Sequence, residues 1–475
     1  MPDSTDKKRL IIVSNRLPLS LKKEENGKYE SSLSSGGLVT ALSGISSSTN
    51  VRWFGWPGSN IEDDEERNVA QQSLAEKDAV GIFLDEKLAH GHYNEFSNGI
   101  AWPILHYQSG VTFSEEAWTS YQKVNTIFAD TVASQVQSGD LIWIHDYHLL
   151  LLPAYLRERL HAQGKKCAIG FTLHTPFPAE DFWRALPVQK DLLEGVLACD
   201  LVGFHTDEYK RNFVECCSRG LDGVTVSDDV VEYKGHKAHT GTFIVGVDPQ
   251  KFTDGLRDKG VQERVAELEE TYRKKIVILG VDRLDYTKGL VQKLQGYDYF
   301  LRQHPELKKQ VCLIQVAIPS REDVKEYQEL ERELCMLVGK INGEHSSPDG
   351  SPIIYIHNSI PFPDLTALYR IADICLVTSH RDGMNLVAAE YVACQKDRYG
   401  VLVLSELAGA AAFMGQGSIT FNPSSAQQLT DSIYKAATMS REEKRKGYEL
   451  LEEFVNTNTS AKWGETFTNA LSEFA

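Results

Sequence analysis

The chain has no CxxC pair, no GxGxxG, no GxxxxGK[ST] and no apolar run near the ~20 residues of a membrane span. Without CxxC or metal spacing, its 8 cysteines offer neither a zinc framework nor a disulfide pattern. Several fall in apolar runs (GKKCAIGF, VCLIQVA, DICLVT), which reads as reduced core thiol. The neighbouring Cys216 and Cys217 on a helix-like stretch carry no assigned role. Missing glycine fingerprints remove the two commonest backbone cradles for phosphates. Positive charge is also short. Lys plus Arg number 50 against 66 Asp plus Glu, a net −16, which argues against nucleic acid and anionic membrane as partners. The opening MPDSTDKKRLIIVSN lacks the length and cleavage site of a signal peptide, so a cytoplasmic location is expected.

What is present points to globular α/β structure. At about 150 residues per domain, 475 residues suggest two or three domains. The strand candidates RLIIVS, DLIWIH, CAIGFTLH, DLVGFH, TFIVGV, KIVILG, VCLIQVA, IIYIHN, ICLVTS and GVLVLS are mostly apolar throughout rather than alternating. That suits strands covered on both faces. Helix-like stretches such as DEYKRNFVECCSRG and LVQKLQGYDYFLRQHP lie between them, which predicts doubly wound parallel sheets. A seam near GTFIVGVDPQKF divides an N-terminal domain, 1–245, from a second, 246–455. The amphipathic tail, 456–475, is free to pack on either, the N-terminal domain being the expectation. EDDEER reads as a solvated loop or a helix start.

In doubly wound sheets ligands bind beyond the carboxyl ends of the strands. The first strand ends in SNRLP, which puts Arg16 in a loop. Gly36 and Gly37 then open a helix whose free N–H groups could face an anion, although a glycine pair alone is more often a turn. LIWIH leads to Asp146 within HDYH, and AIGFTL ends at His174. HDYH has metal-like spacing, but its side chains point apart on a turn and no fourth ligand follows. GVDRLDYTKGL supplies Arg283 and Lys288, with Asp282 and Asp285 to hold or balance them; taken alone, a surface ion-pair cluster reads equally well. VCLIQVAI runs into Arg321, IIYIHNSI ends at Ile360, and ICLVTS leads to HRDGMNLVAAEYVACQ. There Asp382 and Gly383 precede a helix starting near Asn385, and Glu390 suits vicinal hydroxyls. Together these strand ends argue for a cleft that binds phosphorylated sugars.

The motifs VSNRLP, SGGLVTAL, WFGWPG, HDYHL, LHTPFP, GVDRLDYTKGL and RDGMNLVAAEYVA resemble the trehalose-6-phosphate synthase family, closest to its fungal members, over nearly the whole chain. The resemblance implies a GT-B fold, two Rossmann-like doubly wound parallel-sheet domains facing an interdomain cleft. It implies retaining, metal-independent transfer of glucose from UDP-glucose to the anomeric hydroxyl of glucose 6-phosphate, without a cofactor. By it Arg16, Tyr93, Trp102, Asp146 and Arg321 hold glucose 6-phosphate, and Arg16 and Arg321 clamp the phosphate. Trp53 is a further candidate wall of that pocket. Gly36, Gly37, Arg283, Lys288, Ile360, Asp382, Gly383, Met384, Asn385, Leu386, Val387 and Glu390 hold the UDP-glucose. Arg283, Lys288, His174 and Asp382 form the catalytic set, and His174 and Asp382 meet the donor glucose. It also implies self-association or a complex with a phosphatase subunit. Two rivals stand beside it: a sibling transferase with another donor or acceptor, such as a glucosylglycerol-phosphate synthase, and a non-catalytic sugar-phosphate-sensing subunit.

Overall fold

Strands with no polar face must be covered twice, and helices do that here. The computed structural model describes residues 8–25, 27–33, 51–321, 324–348 and 350–475. It divides into two units, Met1–Val245 with Ser460–Ala475, and Gly246–Thr459.

The first unit carries β1 (Leu10–Arg16), the hairpin β2 (Leu19–Lys23) and β3 (Tyr29–Leu33), β4 (Val51–Trp56), β5 (Ala79–Gly81), β6 (Leu141–His145), β7 (Ala168–Thr172), β8 (Leu201–Phe204), β9 (Thr225–Ser227), β10 (Val230–Tyr233) and β11 (His236–Thr242). Nine of these form one sheet in the order β5-β4-β1-β6-β7-β8-β11-β10-β9, parallel except for β9–β10 and β10–β11. Leu10 to Val13 are fully buried, as expected of a central strand. The predicted strand TFIVGV is not one. β11 stops at Thr242, and its pairing residues are the less apolar His236 to Thr242 before it.

The acidic run at 62–67 does start a helix, Asp64–Ala75. Asp63 caps it by accepting the Glu66 N–H at 2.9 Å, and the acids of the first turn suit the positive end of the helix dipole.

The second unit holds β12 (Ile276–Arg283), β13 (Val311–Ile318), β14 (Ile353–Ile356), β15 (Ile374–Val377), β16 (Val401–Ser405) and β17 (Ile419–Phe421). They lie in the order β14-β13-β12-β15-β16-β17, and every pair is parallel. Chain order reverses direction between β12 and β15 here, and between β1 and β6 in the first unit. These are the switch points where such sheets open a crevice for ligands. Arg16, Asp146, Arg283 and Asp382 all belong to strand ends or following loops at these two points.

The final helix, Ser460–Ser472, packs on the first unit. Phe467 stacks on Trp143 at 4.2 Å and 9°, and Trp463 meets Trp143 at 4.8 Å. Gly170 on β7 and Gly203 on β8 make room for it, since a Cβ at either would lie 2.8 or 2.9 Å from the Phe467 ring. The chain therefore anchors its end by an aromatic knob in a two-glycine notch. Phe467→Ala is expected to destabilise the protein by about 3–5 kcal/mol, a fully buried ring being lost from a site that cannot collapse around it. Urea unfolding checks this, and an unchanged midpoint would refute the anchoring role.

Candidate active site

In the first unit, Arg16 ends β1 and is exposed. Its guanidinium lies over the Trp56 ring at 5.5 Å. Gly58, at φ +80°, gives it room, because a Cβ there would lie 2.0 Å from Nη2. Asp146 follows β6 in a left-handed conformation, φ 74°, which no strand or helix requires. Such backbone persists where neighbours over-determine it. Its N–H donates to the Thr172 carbonyl at 2.9 Å, and its Oδ1 accepts the His174 N–H at 3.2 Å. The turn thus brings the ends of β6 and β7 together.

Tyr93 sits on an unusual π-helix, Gly91–Ala101, and stacks on His148 at 5.7 Å and 9°. Such helices are rare and recur at functional sites. The next residue, Trp102, is buried against Tyr147 and His106 at 5.4 and 3.9 Å. Trp53 packs with Leu17, Leu19, Leu74 and Ala79, a small core cluster that accounts for its apolar bulk.

His174 joins a row of imidazoles. Its Nδ1 lies 3.1 Å from Nε2 of His205, and its Nε2 lies 3.1 Å from Nδ1 of His145. Nδ1 of His205 reaches the Phe243 carbonyl at 3.1 Å. Burial makes the charged forms unfavourable. His145 is pushed down to about 3, helped by nearby His205, and His205 to about 4; His174 falls well below the ordinary value. The HDYH stretch therefore spends its first histidine on His174 and its second on Tyr93. His205 carries no role by sequence alone, although it follows β8 as His174 follows β7.

The second unit concentrates charge. Arg283 is the last residue of β12, and Asp285 behind it is fully buried. Oδ1 of Asp285 accepts the Thr287 N–H and hydroxyl at 2.9 and 2.8 Å. Oδ2 faces Arg321 Nη1 and the Tyr327 hydroxyl, each at 3.2 Å. Burial alone would raise the Asp285 carboxyl, but Arg321, Arg283 and Lys288 outweigh it and bring it down to about 2. Arg321, grouped by the resemblance with Arg16, thus belongs to a cluster built on Asp285, with only 4% of its side chain exposed.

Lys288 is also buried. Its Nζ lies 2.6 Å from Oδ2 of Asp382, which accepts the Ser379 hydroxyl and the Asn385 amide at 3.0 and 2.9 Å as well. Gly289, at φ +63°, lets this turn press on β15, since a Cβ would meet the Thr378 carbonyl at 2.2 Å. Asn385, at φ 75°, leads into the helix Leu386–Ala393 without a side-chain cap, so the first N–H groups there have no such acceptor. Gly383 and Met384 are buried within this loop, while Leu386 and Val387 are partly exposed at the helix start. Glu390, further along the helix, accepts the Tyr369 hydroxyl at 2.8 Å, and burial raises its carboxyl. Ile360 is half-buried between β14 and the helix Phe362–Ile371. Gly36 and Gly37 lie outside the described residues. The assembly presents cations and helix N–H groups at one switch point, chemistry that complements a polyanion.

The model of glycosyltransferase family 20 matches residues 8–473. Alpha,alpha-trehalose-phosphate synthase (UDP-forming) 1 of Aspergillus niger is 48% identical over 475 residues, 100% of this chain and 92% of that protein. A structure of trehalose-6-phosphate from E. coli bound with UDP-2-fluoro glucose is 32% identical with a TM-score of 0.87, covering 98% of this chain and 99% of the other. The N-terminal domain of Candida albicans trehalose-6-phosphate phosphatase gives a TM-score of 0.89 at 30% identity, over 100% and 99%.

The buried imidazoles make stability acid-sensitive in one direction. Unfolded histidines take a proton near pH 6.5, whereas His145 and the separate buried His92 resist to about 3 and His205 to about 4. Between those limits the unfolded chain binds more protons, so stability is full above the unfolded value and falls as pH drops. Urea unfolding is expected to lose about 2 kcal/mol per such histidine from about pH 7 to about pH 5. A stability that rose over this window would contradict their burial as neutral rings.

Proposed function

Because the chain belongs to glycosyltransferase family 20 and has the GT-B architecture of two Rossmann-like units, we propose that it transfers glucose from UDP-glucose to the anomeric hydroxyl of glucose 6-phosphate with retention, forming α,α-trehalose 6-phosphate and UDP. The observation that carries this reading is the 48% identity, over 100% of this chain, to a UDP-forming trehalose-phosphate synthase. The charge cluster around Asp285 supplies its chemistry.

In this reading Arg283 and Lys288 meet the diphosphate, and the uncapped helix start at Leu386 and Val387 adds N–H donors. Gly36 and Gly37 belong to the same donor site. As the glycosidic bond to UDP breaks, negative charge grows on the leaving phosphate. Cations already held in place need little reorganisation to receive it, which is how preorganised charge lowers a barrier. Lys288 starts out bonded to Asp382, so diphosphate binding draws the ammonium away and frees carboxylate oxygen for sugar hydroxyls. Glu390 takes the ribose hydroxyls and Ile360 lies beside the base. The acceptor oxygen attacks the anomeric carbon on the face UDP leaves, and its proton passes to a leaving phosphate oxygen. Arg16, Tyr93, Trp102, Asp146 and Arg321 hold the acceptor, and placing it closely does much of the remaining work. A cytoplasmic location, with self-association or a phosphatase partner, completes the proposal. Among the described residues no helix is long and apolar enough to cross a membrane.

One observation favours a second reading. The likeness to a phosphatase's N-terminal domain fits a sensing or scaffold subunit. Incubating the chain with UDP-, GDP- and ADP-glucose against glucose 6-phosphate and glycerol 3-phosphate separates these outcomes. UDP plus trehalose 6-phosphate supports the proposal, another product names the sibling, and UDP binding without turnover favours the sensor.

Arg283→Ala or Lys288→Ala is expected to lower kcat about 100- to 1,000-fold with the circular dichroism unchanged; near-normal rates would remove the clamp. Arg321→Ala should raise the KM for glucose 6-phosphate. It should also lower the urea midpoint, because it strips a partner from buried Asp285; an unchanged acceptor KM would contradict the assignment. EDTA is expected to leave turnover in place, and loss restored by a divalent ion would overturn the metal-independent reading.

A further inference from the structure

We propose that His205 is a positioning residue for this transfer: through His174 it decides which imidazole nitrogen carries the proton, and makes His174 a hydrogen-bond acceptor toward the donor sugar. The inference rests on the reading of His174 as donor-facing.

The oxygen of Phe243 can only accept, so the His205 Nδ1 lying 3.1 Å from it carries a proton. A neutral imidazole has a single N–H, which leaves Nε2 of His205 bare. That atom faces Nδ1 of His174 at 3.1 Å, so the His174 proton is on Nδ1 and its Nε2 is bare in turn. Nδ1 of His145 donates to this Nε2 at 3.1 Å. A single backbone oxygen thus sets three tautomers in sequence.

The row stays neutral because it is roofed. Trp463, from the last helix, lies 6.2, 5.7 and 6.5 Å from the rings of His145, His174 and His205, and is itself 2% exposed. Trp143 covers His145 from the strand side at 4.6 Å. His145 and His205 are fully out of water, His174 is partly so, and each ring shifts toward its neutral form.

The consequence is specific. A sugar hydroxyl that bonds the His174 ring finds one usable atom, Nε2, and must donate to it in place of the His145 N–H. Remove the acceptor at His205, and His174 can carry its proton on Nε2 instead. It then presents a donor in place of the acceptor, which reverses the hydroxyl's role in that bond and with it the hydroxyl's orientation. A histidine row that only fills the core would not care which tautomer it holds.

The test uses the full-length chain labelled with 15N-histidine. Imidazole NMR reads the protonated nitrogen, steady-state kinetics with UDP-glucose reads the consequence, and calorimetry with UDP reads nucleotide binding without the sugar. The wild type is expected to show His174 protonated at Nδ1. His205→Leu should convert it to a mixture and lower kcat/KM for UDP-glucose about 10- to 100-fold, while the Kd for UDP stays within about two-fold. In His205→Gln, the amide can donate to Phe243 and its oxygen can accept from His174, so most of the loss should be recovered. A folded His205→Leu with unchanged tautomer and kcat/KM overturns the proposal while the transferase reading stands. Absence of wild-type turnover removes that reading instead. If His205→Leu does not fold, the wild-type spectrum decides: a proton on Nε2 of His174 overturns the relay.

Discussion

One buried carboxylate holds the cationic end of the second sheet together. Asp285 is fully out of water, yet Arg321, Arg283 and Lys288 around it keep it ionised, down to about 2. Three cations gathered from the ends of β12 and β13 would otherwise repel each other. The carboxylate lets them stay close before any ligand arrives, and Thr287 and Tyr327 satisfy its remaining lone pairs. A buried charge is tolerable only when paired and hydrogen-bonded. The same charges that would receive a diphosphate therefore also keep Asp285 ionised inside the fold. Beneath them, fully buried Lys293 pairs with Asp282 next to Arg283, so the support continues one layer down.

The first unit follows the opposite rule. The imidazoles of His145, His174 and His205 are neutral, aligned in a row and covered by Trp463. Here direction matters more than charge: a carbonyl at Phe243 orders protons across three rings. The two arrangements suit different ligand chemistries. Phosphate calls for fixed positive charge, whereas a sugar hydroxyl calls for a donor or acceptor of defined sense. Both stand at the carboxyl ends of parallel strands, where the sheet stops supplying backbone partners and side chains take over.

Much of this was legible in the residues. Apolar runs without alternation, with helical stretches between, spoke for parallel sheets; the six-stranded sheet is wholly parallel, and the nine-stranded one is parallel up to the antiparallel β10 and β9 at its edge. The motifs carried the family, because long strand-end segments such as GVDRLDYTKGL constrain both backbone and side chains. The exception is TFIVGV, which reads as a strand by composition but runs past Thr242, the last residue in register with β8. Pairing, not hydrophobicity, ends a strand.

Sequence by itself determined the element types, the strand-end location of Arg16, Asp146, Arg283 and Asp382, and the family to which they point. Such features are local, written in runs and spacings that neighbours along the chain enforce. Only the tertiary structure decided that Asp285 gathers Arg321 from 36 residues away, that Lys288 bonds Asp382 across 94, and that the last helix roofs the histidines with Trp463. No spacing encodes these contacts. They exist because strand order, a left-handed Gly289 and a glycine notch at Gly170 and Gly203 bring distant side chains within reach.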